Sequence, residues 1–146
     1  MKDEVTFVNK YLEGLNLIDL ISEKHIVLRR IVEEKWLSNE KEAISHTEAL
    51  LLAKLSMGKI SLAEVARCAN VSRQAMFKCA KKLEEKGYLT FISQEGHHKY
   101  TQLTSKGVAY CERSRQLKME IEQEISQKIG EESVELLKQL LMIDWI

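Results

Sequence analysis

The sequence predicts a mainly α chain with one small β-hairpin. Three observations predict it. Apolar residues recur at three- and four-residue spacing through most of the chain. No proline and only six glycines occur in 146 residues, so helices can run long without a break. Between about residues 88 and 104, two short strand-like runs flank a turn that contains a glycine. Apolar residues make up 45% and charged residues 30%, the balance of a globular chain rather than a disordered one. The length suits one domain, residues 1–146.

Each element has its own signal. From about Val5 to Trp36, the positions Phe7, Tyr11, Leu15, Ile18, Ile21, Val27 and Ile31 mark one apolar stripe, with Val8 beside it. The spacing predicts a long amphipathic helix, bent near Gly14. Residues 38–45 are polar and read as a loop. Thr47 stands where a cap belongs, ahead of an apolar helix that Gly58 ends. Lys59-Ile60 has the length of a single strand pairing. Ser61 and Glu64 have capping-box spacing and open a short helix through Cys68. Asn70 tolerates the left-handed conformation needed at a turn, and Ser72 caps the next helix. Gly87 stops that helix, with Lys86 placed to suit its dipole.

Tyr88–Ser93 and Lys99–Thr104 are the two strands, and residues 94–98 are the hairpin loop. Thr104 or Ser105 then caps a long helix in which Leu117, Ile121, Ile125 and Ile129 recur every four residues. Gly130 breaks it, and residues 131–146 make a strongly apolar last helix.

The net charge is zero, yet it is unevenly placed. Residues 60–106 carry eight Lys/Arg against four Asp/Glu, residues 1–59 nine against ten, and residues 107–146 five against eight. A basic middle and an acidic end point to an anionic partner for the middle. On a helical wheel the helix after Ser72 divides cleanly. Met76, Cys79, Ala80 and Leu83 share one side. Arg73, Gln74, Phe77, Lys78 and Lys81 share the other. Arginine can take guanine N7 and O6 together, glutamine can pair an adenine edge, and lysines neutralise phosphates. Phe77 on that side either touches a thymine methyl or packs on a neighbouring helix.

A capped short helix, an asparagine turn, a second capped helix and a hairpin form the winged helix-turn-helix order. Here the run SLAEVARCANVSRQAMFKCAKKLEEKGYL, followed by Leu103, Thr104 and Gly107, resembles the MarR family of bacterial transcriptional regulators. Cys79 to Gly87 matches the family's exit from its recognition helix, and Leu103-Thr104-x-x-Gly107 its signature after the wing.

The resemblance implies a winged helix-turn-helix over residues 47–106, with dimerisation helices over 1–36 and 107–146. It implies a homodimeric repressor of a palindromic operator, released by a small-molecule effector. The expected groove-reading residues are Ser72, Arg73, Gln74, Phe77 and Lys78. The expected phosphate contacts are Ser61, Lys81, Lys82 and Lys99. The wing departs from the family in lacking an arginine, which leaves Lys99, His97 and His98 as its basic residues. Leu136, Leu137, Leu140, Leu141, Ile143 and Trp145 would form a large apolar patch on a monomer and call for a partner copy.

Other classes fare worse. No Gly-rich phosphate loop, nucleophile motif or carboxylate pair marks an enzyme. No cofactor or metal is expected, although Glu23, His25 and His46 are the residues that would be weighed as ligands. Cys68 and Cys79 are read as facing inward on the two helices, and with Cys111 as reduced packing residues. No apolar run of membrane-spanning length occurs and no signal segment is recognised, so the expected location is the cytoplasm. The rival reading is a winged-helix adaptor that binds protein through the same face.

Overall fold

The computed structural model describes residues 10–39 and 42–146, and of residues 93–95 the backbone alone. The described residues fall into two compact units, one ahead of Glu42 and one from Glu42 onward.

The first unit differs from the single bent helix the spacing predicts. Residues 10–13 are helical, the helix breaks at 14–16, and α1 runs Leu17–Asn39. The cause is Asn16. Its Oδ1 accepts the Asp19 amide at 2.8 Å, and its side-chain amide donates to the Asp19 carboxylate at 2.9 Å, so a new helix starts there. Val5, Phe7 and Val8 of the expected stripe lie outside the described residues.

In the second unit the order is α2 (His46–Met57), α3 (Leu62–Ala69), α4 (Arg73–Glu85), β1 (Leu89–Glu95), β2 (His98–Leu103), α5 (Ser105–Ile129) and α6 (Glu131–Met142). The mainly α fold with a two-stranded antiparallel hairpin is as predicted. The cap of α2 is Ser45 rather than Thr47. Ser45 Oγ accepts the Glu48 amide and Glu48 Oε1 accepts the Ser45 amide, a complete capping box. At Ser61 the serine half of the box forms, with Oγ accepting from Glu64 at 3.2 Å. Asn70 is left-handed at φ 54°, ψ 45°. Ser72 caps α4 and Thr104 caps α5.

The hairpin is tighter than expected. Glu95 pairs with His98 across a two-residue turn, and the register shifts between Phe91 and Gln94. Glycine at position 96 supplies the positive φ of 61° that such a turn needs. The short pairing expected at Lys59-Ile60 falls one step later, as a bridge between Ser61 and Tyr100.

Leu51 and Leu52 of α2, Val65 and Ala66 of α3, Met76 and Leu83 of α4 and Leu89 of β1 are fully buried. Each large apolar side chain so buried contributes about 1.5–3 kcal/mol. This core fixes the orientation of α4, because α2, α3 and β1 all pack on it.

A polar joint fixes the exit of α4. Lys86 Nζ reaches Glu48 Oε2 at 3.2 Å and the Ala43 carbonyl at 3.4 Å. Lys106 Nζ donates to the Lys86 carbonyl at 2.6 Å, and Thr104 Oγ1 donates to the Gly87 carbonyl at 2.6 Å. The Tyr88 hydroxyl donates to Glu42 Oε2 at 2.6 Å, and Lys106 stands 3.3 Å from the same oxygen. The Tyr88 hydrogen bond, with help from Lys106, holds the Glu42 carboxyl below its ordinary value. Its contribution to stability is therefore present at neutral pH and lost as pH falls through that lowered value. Burial first, then Glu42, pushes the Tyr88 hydroxyl well above its ordinary range.

Candidate nucleic-acid interface

The geometry begins with the caps. Ser72 and Asn70 set the start of α4, and the buried side (Met76, Cys79, Ala80, Leu83) anchors the helix to the core. The opposite side is free for contact: Ser72, Arg73, Gln74, Lys78, Lys81 and Lys82 are all exposed. Ser72 Oγ accepts the Ala75 amide at 3.0 Å, so it caps the helix while remaining at the surface. Lys81 lies 3.3 Å from Glu84 Oε1, an exposed pair that screening keeps weak.

Two expected residues are placed differently. Ser61 is only 1% exposed, and its hydroxyl is engaged in capping α3. A buried capping oxygen is not presented to a phosphate, so the expected phosphate role of Ser61 is withdrawn. Phe77 is half-buried and meets the ring of Phe91 on β1 edge to face, centroids 5.7 Å apart. Phe77 therefore packs on the wing, not on the neighbouring helix expected for it. Lys99 stands over the Phe77 ring at 4.1 Å from its centroid. His97 and His98 are exposed at the tip of the hairpin.

The cysteines separate by environment. Cys68 is exposed, correcting its expected inward placement, because the outer side of the short α3 carries it. Cys79 is buried, and burial raises its thiol to about 11, ahead of a smaller push from Glu48. Burial likewise raises Cys111, which donates to the Leu52 carbonyl at 3.5 Å. Raised thiols of this kind are poor nucleophiles at neutral pH. Among the described residues, no three His, Cys, Asp or Glu side chains converge as metal ligands. Nor is any described helix long and apolar enough to cross a membrane.

A groove of about 990 Å³ opens between α2, the hairpin and α5. Ala49 and Ala53 of α2, Thr101 of β2, and Val108, Arg115 and Lys118 of α5 help to line it. Sequence reasoning did not find it, since its walls come from three separate segments. Thr101 is 4% exposed, and its hydroxyl oxygen has no hydrogen-bond partner. A buried hydroxyl without a partner costs roughly 1–3 kcal/mol.

This combination of a capped, core-anchored helix with an exposed cationic side, followed by a short hairpin, defines a winged helix-turn-helix protein. Residues 44–99 match the sequence model of the MarR family. The chain has the fold of the Escherichia coli MarR in its reduced form, at TM-score 0.73 and 22% identity over 87% of this chain and 94% of that one. It is also similar to a Mycobacterium tuberculosis MarR family protein solved with salicylic acid, at TM-score 0.68 and 25% identity over 88% and 95%. MepR, a transcription regulator of the Staphylococcus aureus multidrug efflux pump MepA, superposes at TM-score 0.68 with 17% identity over 87% and 94%. No curated protein sequence matches. Over residues 44–99 the chain thus matches the MarR family, and the fold of the chain is that of MarR structures.

Proposed function

We propose that the chain is a homodimeric transcription regulator, a repressor, that binds a palindromic site in duplex DNA through the exposed side of α4. One observation carries this reading. Arg73, Gln74, Lys78, Lys81 and Lys82 stand together at the surface of a helix whose other side is locked in the core. In this reading Ser72, Arg73, Gln74 and Lys78 meet base edges, and Lys81, Lys82 and Lys99 meet phosphates.

A second copy is needed because one helix reads few bases. Two helices on a two-fold axis read half-sites roughly 34 Å apart. Support comes from α6 and the residues after it. Leu136, Leu137, Leu140, Leu141, Ile143 and Trp145 are each 46–59% exposed, more clustered apolar surface than a lone soluble chain usually carries. The function places the protein where the DNA is, in the cytoplasm.

Selection from random duplex DNA tests the reading, and the spacing of recovered half-sites tests the dimer. Affinity should fall steeply with salt, the logarithmic slope changing by about 0.9 for each phosphate contact. Arg73→Ala should lose about 1–3 kcal/mol of base discrimination per half-site while keeping most of that salt slope. If no duplex binds at low salt, the protein-binding adaptor is the better account.

The effector belongs in the groove beside Thr101. Its walls are largely apolar, and Lys59, Arg115 and Lys118 line it alongside Glu112 and Glu122. A small aromatic acid suits these features. Salicylate should bind measurably by calorimetry and release the DNA, and Arg115→Gln should weaken it by about 5- to 10-fold. Unchanged salicylate affinity in that variant would place the effector elsewhere.

A further inference from the structure

The aromatic pair between α4 and the wing has no place in groove reading as described above. Phe77 lies on the cationic side of the helix, where an isolated phenylalanine would only expose apolar surface. Instead its ring meets Phe91 edge to face, centroids 5.7 Å apart with the rings inclined at 64°. Two lysines close on this pair. Lys99 of β2 stands 4.1 Å from the Phe77 centroid. Lys81 of α4 stands 4.5 Å from the Phe91 centroid and 5.6 Å from that of Phe77. The helix lysine thus leans on the wing's ring, and the wing lysine leans on the helix's ring. Each ammonium is held across the boundary between the two elements.

The chemistry of such a contact is specific. An aromatic face attracts a cation through its quadrupole and leaves most of the ammonium's hydrogens free to donate. A lysine held in this way keeps its full charge and loses rotamer freedom before any ligand arrives. Lysine side chains carry about 2 kcal/mol of rotamer entropy, and whatever is lost beforehand is not lost on binding. Glu84 also draws on Lys81, at 3.3 Å, but that pair is half-exposed and a phosphate can displace the carboxylate. Lys82, the next residue along, touches neither ring.

We propose that Phe77 and Phe91 are positioning residues that hold Lys81 and Lys99 as a two-lysine phosphate clamp joining the recognition helix to the wing. The wing then serves the helix by gripping the backbone beside the major groove, a use that needs no arginine at its tip. This inference rests on the duplex-binding reading above.

A double-mutant cycle with the full-length protein tests it, using a duplex of random sequence at low salt and anisotropy as readout. Phe77→Leu keeps an apolar side chain but removes the π face, and should weaken binding about 3- to 10-fold, as expected for two preorganised contacts. In a Lys99→Met background the same change should cost clearly less, since the nearer of the two cations over its ring is already gone. In a Lys82→Met background its full effect should remain. An equal loss in all three backgrounds would mean that Phe77 merely supports the fold, and the clamp would be wrong. Phe91→Leu, read at Lys81→Met, repeats the cycle from the other ring should Phe77→Leu fold poorly.

A second measurement needs no DNA. The side-chain methylenes of Lys81 and Lys99 should resonate upfield in the native protein, shifted by the ring currents, and return toward ordinary positions for Lys99 in Phe77→Leu and for Lys81 in Phe91→Leu. Ordinary positions in the native protein would overturn the clamp by themselves. Upfield lysines in a protein that binds no duplex at any salt would show instead that the geometry is right and the DNA reading wrong, and the phosphate clamp would fall with that reading.

Discussion

Gly107→Ala is expected to lower stability by about 3 kcal/mol, as overpacking against an atom that cannot rotate away. A Cβ at position 107 would stand 2.1 Å from the Tyr88 carbonyl oxygen and 3.1 Å from Leu103 Cδ2. The first of these is backbone, and its place is already fixed. The Tyr88 carbonyl accepts the Thr104 amide at 3.0 Å, and Thr104 Oγ1 in turn accepts the Gly107 amide at 3.2 Å. Moving the carbonyl away therefore breaks its bond to the amide of Thr104, the residue that caps α5. Moving α5 away pulls Lys106 from the Lys86 carbonyl. Alanine gains nearly 1 kcal/mol of helix propensity over glycine, which offsets part of the cost and no more. Thermal melting should fall by roughly 10 °C for a chain of this size. The neighbouring Val108 is 57% exposed, so Val108→Ala should change stability by no more than about 0.5 kcal/mol. A Gly107→Ala protein as stable as Val108→Ala would show that the close approach of α5 to Tyr88 does not exist in solution.

That glycine also shows what the sequence could reveal. Leu103-Thr104-x-x-Gly107 was visible as a pattern, and so were the caps at Ser72 and Thr104, because each depends on residues three apart along the chain. The division of α4 into a buried and an exposed side was legible for the same reason: a helix repeats on a fixed period, and Met76, Cys79, Ala80 and Leu83 follow it. The Asn16 cap and the Ser45 box were equally local, yet stronger patterns covered them. An apolar stripe ran through the first, and Thr47 stood closer to the apolar residues after the second. The remaining features join distant segments. Phe77 reads as exposed on its own helix and is half-buried only because Phe91 arrives from β1. The wall of the groove at Thr101 and the pairing of Glu48 with Lys86 depend on how separate elements pack, and no spacing along the chain announces that.

Lys86→Met should be the second costly change, at about 2–4 kcal/mol, because it removes one partner of a largely buried ion pair. The Glu48 side chain is 8% exposed and that of Lys86 29%. Without the ammonium, the carboxylate keeps the Ser45 amide at 3.2 Å on Oε1, while Oε2 faces a low-dielectric interior with no cation. The Ala43 carbonyl loses its donor as well. Glu48→Gln is the milder change. Glutamine can still accept the Ser45 amide, and the longer, better-solvated Lys86 can turn its charge toward water. Its cost should be about 1 kcal/mol, the net worth of an ordinary hydrogen bond. The double variant should be more stable than Lys86→Met alone, since the uncompensated charge is then absent. Denaturant unfolding of the three variants measures this order directly. Equal losses for Lys86→Met and Glu48→Gln would mean that Glu48 is solvated, and that the exit of α4 is held by Thr104 and Lys106 rather than by this pair. If the order holds, the loss should also appear as weaker DNA binding under conditions where Lys86→Met remains folded, because the end of the helix bearing Lys81 and Lys82 is then less firmly fixed.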